Sequence, residues 1–345
     1  MIYITYSARL LFILEAFSGF VKTTRRIRPD EFRRESIATP AAIESSSTAS
    51  HPDKDPMADQ HELTRRERVL DDLANRHLGR IPAGLREFLV FGIKQAWACL
   101  FGALMLLAII ATAWWYPDDA SLARNDLLVI LAVLIQALML IFRLETGREL
   151  WVIVLFHIVG TGMEIFKTSV GSWNYAEGGV LHIGAVPLFT GFMYAAVGSY
   201  IVRVYRLFDL RFSHYPPRWI TAVIAAAIYI NFFTHHFMVD VRLVLVLAVA
   251  VVFLRCSMHF HVHRLTLRMP VLLAFVLVAF FIWIAENIGT VTGAWLYPSQ
   301  VDGWELVPVT KLVAWFLLMM ISVVLVTFVY PPKPPDEVSS PDNLS

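Results

Sequence analysis

From residue 87 to residue 330 the chain alternates between long apolar runs and short polar connections. The apolar runs lie at roughly 92–115, 127–142, 150–167, 183–202, 219–239, 243–256, 269–288 and 307–329. Runs of this kind predict membrane-spanning helices, because about 20 residues rising about 1.5 Å each cross about 30 Å of hydrocarbon. The connections between them are of two sorts. One set is rich in arginine: Arg65, Arg66, Arg68, Arg76, Arg80 and Arg86, then Arg143 and Arg148, then Arg203, Arg206, Arg211 and Arg218, then Arg255, Arg264 and Arg268. The alternate set holds little beyond Arg124, Lys167 and Arg242. Lys and Arg gather on the cytoplasmic side, so the pattern places both termini in the cytoplasm. The expected fold class is all-α, a polytopic membrane helix bundle of about eight transmembrane helices.

Two stretches then repeat. EIFKTSVGSWNY begins at Glu164 and ENIGTVTGAWLY at Glu286. Thr168 and Thr290, Gly171 and Gly293, Trp173 and Trp295, and Tyr175 and Tyr297 share the same separation of 122 residues. Val186-Pro187 matches Val307-Pro308 at 121. In each copy a helix is expected to end in the glutamate, a Gly-x-Trp-x-Tyr loop to follow, and Val-Pro to open the next helix, where proline's missing N–H does no harm. The copies lie four spans apart, so they share an orientation. This predicts a 4+4 parallel repeat about an axis along the membrane normal, with halves of about 87–203 and 219–330.

Composition agrees with a membrane location. The chain of 345 residues is 57% hydrophobic and 17% charged, against about 45–50% and about 25% in soluble domains. Mean hydropathy is +0.60. A formal net charge of +1 implies no nucleic-acid partner. Cys99 and Cys256, the two cysteines, sit in or beside apolar runs and provide no disulfide or metal framework. Residues 1–56 read as a non-native or disordered extension rich in Ser, Thr, Ala and Pro, with translation expected to begin at Met57. Residues 57–86 form a basic cytoplasmic segment with a short interfacial helix over Leu63–Leu78. The transmembrane domain follows at 87–330, and 331–345 is a disordered tail.

Polar residues within the apolar runs carry the candidate chemistry. A carboxylate near the end of an apolar helix is costly to bury and faces a cavity or partner, which singles out Glu164 and Glu286. His157 lies seven residues before Glu164 on the same helix face. Asn287 adjoins Glu286. In NFFTHHFMVD, Asn231 pairs with His235 and His236 with Asp240 at four-residue spacing. Glu164, His182, His235, His236, Asp240 and Glu286 are expected at one extracytoplasmic end, where they could converge in a pocket. The catalytic candidates are Glu164, Glu286, His235, His236 and Asp240. The ligand-binding candidates are His157, His182, Trp173, Tyr175, Asn287, Trp295 and Tyr297. His235, His236 and Asp240 would suit a divalent metal ion, and equally a proton relay or acid–base chemistry. Trp and Tyr also anchor helices at membrane interfaces without any chemistry. The histidines of HFHVHR, from His259 to Arg264, lie among arginines and read as a solvated or headgroup-facing loop.

FKTSVGSWNY, VPLFTGFMYAAVGSYIVRVYR, NFFTHHF and IWIAENIGTVTGAWLYPSQ together resemble an uncharacterised bacterial integral membrane family, domain of unknown function 817, over roughly residues 84–330. That resemblance implies a multi-pass protein of the bacterial cytoplasmic (inner) membrane and brings no catalytic residues. More distantly, Glu286–Gly293 is similar to a Glu-x-x-Gly-x-x-Thr-Gly pattern of carotenoid hydratases, from which the first copy departs at Lys167. Three functions remain open: a membrane-embedded enzyme acting on a lipid or isoprenoid, a small-solute transporter with its site between the repeats, and a structural or sensory membrane protein. Membrane lipids and an unknown small-molecule or lipid substrate are the expected partners.

Overall fold

The computed structural model describes residues 82–335 apart from 118, 143, 146 and 177. The N-terminal extension, the basic interfacial helix and most of the tail lie outside the described residues. The chain divides into two compact units: residues 82–93 with Phe260–Arg268, and Lys94–His259 with the residues from Met269 onward. In the first unit Val262 N–H closes a turn on Leu265 O at 3.0 Å, and Glu87 accepts from Arg264 N–H at 3.0 Å. The candidate site belongs wholly to the second.

The described residues contain nine α-helices: α1 (Ala83–Ala98), α2 (Leu100–Trp115), α3 (Arg124–Ile141), α4 (Gly147–Ser169), α5 (Phe189–Leu207), α6 (Arg218–Thr234), α7 (Arg242–Phe253), α8 (Val271–Val291) and α9 (Lys311–Val329). The expectation of a mostly helical protein holds. Short strands are added to it: β1 (His182–Ile183) pairs with β2 (Val186–Pro187), and β3 (Arg211–Ser213) pairs antiparallel with β4 (Ser257–His261). His259 thus sits in a strand, its Nε2 2.6 Å from Ser213 Oγ. Helices α3, α4, α8 and α9 are long and apolar enough to cross a membrane. The expected first span is instead a broken one, α1 and α2 meeting at 67° at Cys99; counted as one, the pair makes five candidates. At 12 residues α7 rises only about 18 Å, and α5 carries Arg203 and Arg206 in its apolar sequence.

Outward-facing apolar side chains mark these helices as a membrane bundle. Leu107, Ile141, Ile158, Val223, Leu247 and Phe281 are all exposed. Helices that are apolar on the outside as well as the inside have no stable place in water. Inside the bundle α4 packs along α5 and α8 along α9, while α2 lies against α8 and α6 against α4.

Helices α4 and α8 end in the same way. Gly171 has φ +69° and Gly293 φ +66°, a left-handed conformation that costs glycine nothing. Ser172 N–H bonds Lys167 O at 2.9 Å and Gly171 N–H bonds Thr168 O at 3.1 Å; Ala294 N–H bonds Gly289 O at 3.0 Å and Gly293 N–H bonds Thr290 O at 3.0 Å. These paired bonds close the last turn and satisfy carbonyls that the helix leaves open. The two loops then meet: Asn174 and Leu296 exchange N–H···O bonds, both of 2.9 Å, in an antiparallel bridge. Val-Pro does not open the next helix, as the sequence suggested. Val186-Pro187 forms β2, and Pro308 stands before a turn whose carbonyl accepts from Lys311 N–H at 2.9 Å. Helices α5 and α9 begin two and three residues after the prolines.

Candidate functional site

Glu164 and Glu286 are buried on α4 and α8, each seven residues, about two turns, before its glycine cap. Each is the acceptor for side chains brought by the loop behind it and by the following helix. Trp173 Nε1–H and Tyr175 O–H donate to Glu164 Oε2 at 2.8 and 2.6 Å, and Tyr194 O–H on α5 donates to Oε1 at 2.7 Å. Tyr297 O–H donates to Glu286 Oε1, and Trp315 Nε1–H on α9 donates to Oε2 at 2.6 Å. Tyr175 and Tyr297 hold equivalent positions in the two loops, and Tyr194 and Trp315 are 121 residues apart, the offset of the Val-Pro pairs. Burial, and then the carboxylate beside each, push the Tyr175 and Tyr297 hydroxyls above tyrosine's ordinary range, so both remain donors at neutral pH.

The two carboxylate cages adjoin. The Trp173 and Tyr297 rings meet edge to face at 6.1 Å, and Lys311 Nζ stands over both, 4.1 Å from the Tyr297 ring centre and 5.9 Å from that of Trp173. An ammonium over aromatic faces is held by the ring quadrupole. Helix α3 clamps the connecting loops from one side. Arg124 donates to Thr292 O at 2.9 Å, Asn125 to Ala176 O at 2.9 Å, and Asp126 accepts from Val180 and Leu181 N–H at 2.8–3.0 Å. The Arg-Asn-Asp run at the head of an apolar helix was the signal for these three, and only Arg124 entered the sequence reading, as a loop charge.

The copies differ where Lys167 replaces Gly289. In the second copy the Trp295 ring packs onto bare helix backbone at Gly289, joining Ile109, Leu128, Val129 and Phe189 in an apolar cluster. In the first, Lys167 fills that place and Trp173 turns to Glu164. Trp295 is therefore packed in the core. A methyl group at 289 would fall inside the Trp295 ring. Gly289→Ala is expected to displace that ring at a cost of about 1–3 kcal/mol, more than the roughly 1 kcal/mol alanine returns in helix propensity. The check is the thermal unfolding midpoint, which should fall; an equal or higher midpoint refutes the packing.

The remaining candidates scatter. His157 lies against Gly191 and meets Phe192 edge to face at 4.9 Å, a packing role. His182 bonds its own hairpin through Gly184 O at 2.7 Å and is exposed. Asn287 accepts from Val307 N–H at 3.0 Å and donates to Trp283 O at 2.8 Å, which pins the segment before α9. His235 and His236 do approach the centre, but through Lys167, whose Nζ lies 3.4 Å from His235 Nε2 and 3.0 Å from His236 Nε2. Asp240 turns away: it pairs with Arg242 at 2.5 Å and accepts from Asn231 at 3.2 Å. The metal set His235, His236 and Asp240 is thus not assembled, and among the described residues no three His, Cys, Asp or Glu side chains are grouped as metal ligands. An ammonium already occupies the imidazole lone pairs that a metal would need.

A narrow apolar crevice opens beside the Glu164 cage, between α4, α5, α6 and α9. Gly160, Met163, Tyr194, Tyr229 and Leu318 line it, and Tyr194 links its wall to the carboxylate.

A family model described as "Protein of unknown function (DUF817)" matches residues 87–323. The uncharacterized protein YoaT of Bacillus subtilis (strain 168) is 43% identical over 242 residues, 70% of this chain and 91% of that protein. No solved structure matches.

Proposed function

We propose a membrane-embedded acid–base function for this chain, which belongs to the DUF817 family of proteins of unknown function. Two related halves would supply one carboxylate each to a single centre. The observation that carries this is the contact between the two cages: Glu164 and Glu286, each held by a loop tyrosine and an aromatic donor from the next helix, are joined through Trp173 and Tyr297. One carboxyl group would deliver a proton to the substrate while the other removes one, so the pair ends each cycle with its protons balanced. The apolar lining beside Tyr194 matches a lipid or isoprenoid in chemistry, and a chain would enter only as α4, α5, α6 and α9 part there, since the crevice has room for about one water molecule.

The two-half reading draws support from the matched glycine caps, the bridge between the equivalent residues Asn174 and Leu296, and the same order of helices in α2–α5 and α6–α9. A rotation exchanging the halves would bring Asn174 onto Leu296, which an antiparallel bridge between equivalent residues requires. Eight membrane passes, residence in the bacterial inner membrane and cytoplasmic termini belong to the same proposal, carried by the arginine distribution. A transporter is the second reading, favoured by the broken α1–α2 pair, since interrupted helices often line solute sites.

The test is conversion of a membrane lipid extract by the purified chain, followed by mass spectrometry. Wild type is expected to change one lipid class. Glu164→Gln and Glu286→Gln should each slow that change by about 100-fold or more. Full conversion by both variants sinks the acid–base role, and solute uptake into proteoliposomes without lipid conversion favours the transporter.

A further inference from the structure

We propose that Lys167, His235, His236 and Ser172 form a cradle for a phosphate monoester at the mouth of the centre, so that the amphiphile it takes ends in a terminal phosphate, unlike the phosphodiester of phosphatidylcholine. This deepens the function proposed above and rests on it for the choice of an amphiphile. Lys167 is only 5% exposed. Among the described residues its ammonium meets two imidazole nitrogens and the face of Phe232, with no carboxylate within ion-pair reach. An ammonium only donates, so both Nε2 atoms accept from it. The His235 proton then lies on Nδ1, which donates to Asn231 O at 2.9 Å. Lys167 is thus a buried cation solvated by neutral groups.

Further positive charge bears on it from Lys311 and Arg242. The opposing carboxylate, Asp240, is already bound to Arg242. A charge taken out of water without a counter-ion is costly, and the physical remedy is an anion. Ser172 Oγ lies 3.4 Å from His236 Nε2, so an ammonium and a hydroxyl meet at one imidazole nitrogen with the second imidazole beside it. Phosphate offers acceptor oxygens in several directions at once, which such a set can meet once each imidazole takes up a proton from water at Nε2 and so becomes a donor. His236 is exposed while Lys167 is buried, so the anion enters from the aqueous side, at the helix end where headgroups lie. The repeat itself marks the spot, because Lys167 is where the first copy departs from Gly289 of the second.

The experiment reconstitutes the full chain in vesicles of equal parts phosphatidylcholine and phosphatidic acid, extracts it and counts retained lipids by native mass spectrometry. Wild type is expected to retain phosphatidic acid in preference. Lys167→Met and His236→Ala should each weaken retention by about tenfold, the loss of one charge-assisted hydrogen bond, while Lys167→Arg keeps it. Inorganic phosphate is then titrated in: displacement shows that the phosphate group alone is recognised, and retention against it shows that the lipid chains are recognised with it. No preference for phosphatidic acid in wild type overturns the proposal. So does equal retention in His236→Ala, whose exposed side chain leaves folding intact if Lys167→Met fails to fold. Glu164→Gln should retain phosphatidic acid while converting lipid about 100-fold more slowly, which separates failure of the cradle from failure of the acid–base centre.

Discussion

Glu164→Leu is expected to destabilise the chain by about 3 kcal/mol or more, enough to abolish a folded form in mild detergent. The carboxylate is the shared acceptor for Trp173, Tyr175 and Tyr194, and leucine leaves all three donors without it in an apolar interior. Each unsatisfied buried donor costs about 1–3 kcal/mol, against a total stability of about 5–15 kcal/mol. Glu286→Leu should cost less, because two donors converge there rather than three. Removing the donors together with the acceptor should restore much of the loss, so Glu164→Leu with Tyr175→Phe and Tyr194→Phe is expected to unfold at a higher temperature than Glu164→Leu alone. The check is the thermal unfolding midpoint of purified protein. A Glu164→Leu variant that melts with wild type would mean that these hydrogen bonds do not hold the loop to the helix.

Arg203→Leu is the second large effect, at the far end of α5. Arg203 is 1% exposed and donates to Trp97 O at 3.0 Å and Leu144 O at 3.1 Å. Its guanidinium lies 3.9 Å from Glu145, a buried carboxylate that also accepts from Gln136 and from Ser199 at 2.8 Å. Taking away one partner leaves the other charged and buried, at a cost of about 3–5 kcal/mol. Arg203→Leu with Glu145→Leu removes both charges and should recover part of that. The same unfolding measurement decides it: a single variant as stable as wild type would show that Glu145 does not depend on Arg203. The arginine pattern alone had placed Arg203 in a cytoplasmic connection. The structure places it inside α5, because buried carbonyls and a carboxylate from neighbouring segments offer it partners there.

Helical class, membrane character and the existence of a repeated motif were legible in the residues themselves. Apolar runs dictate helices wherever the backbone must satisfy itself without water, and a glycine at a fixed place after each run predicts how the helix closes. Glu164 and Glu286 stood out because a carboxylate in an apolar run has few innocent explanations. Their donors were half visible: Tyr175 and Tyr297 by repetition, Tyr194 and Trp315 not at all, since an aromatic residue in an apolar helix looks like packing until its polar tip has a partner.

Spacing along one helix specified which residues share a face, so the neighbours Asn231 and His235 could be read from the sequence. It carried no information about which face meets which. Only the tertiary structure decided that Lys167 would meet both histidines, that Asp240 would turn to Arg242, and that Trp295 would be core while its counterpart Trp173 binds a carboxylate. The physical reason is that local sequence sets backbone conformation through periodicity and caps. The partner of a buried charge is chosen by whichever acceptor or donor the packing of distant helices brings within about 3 Å.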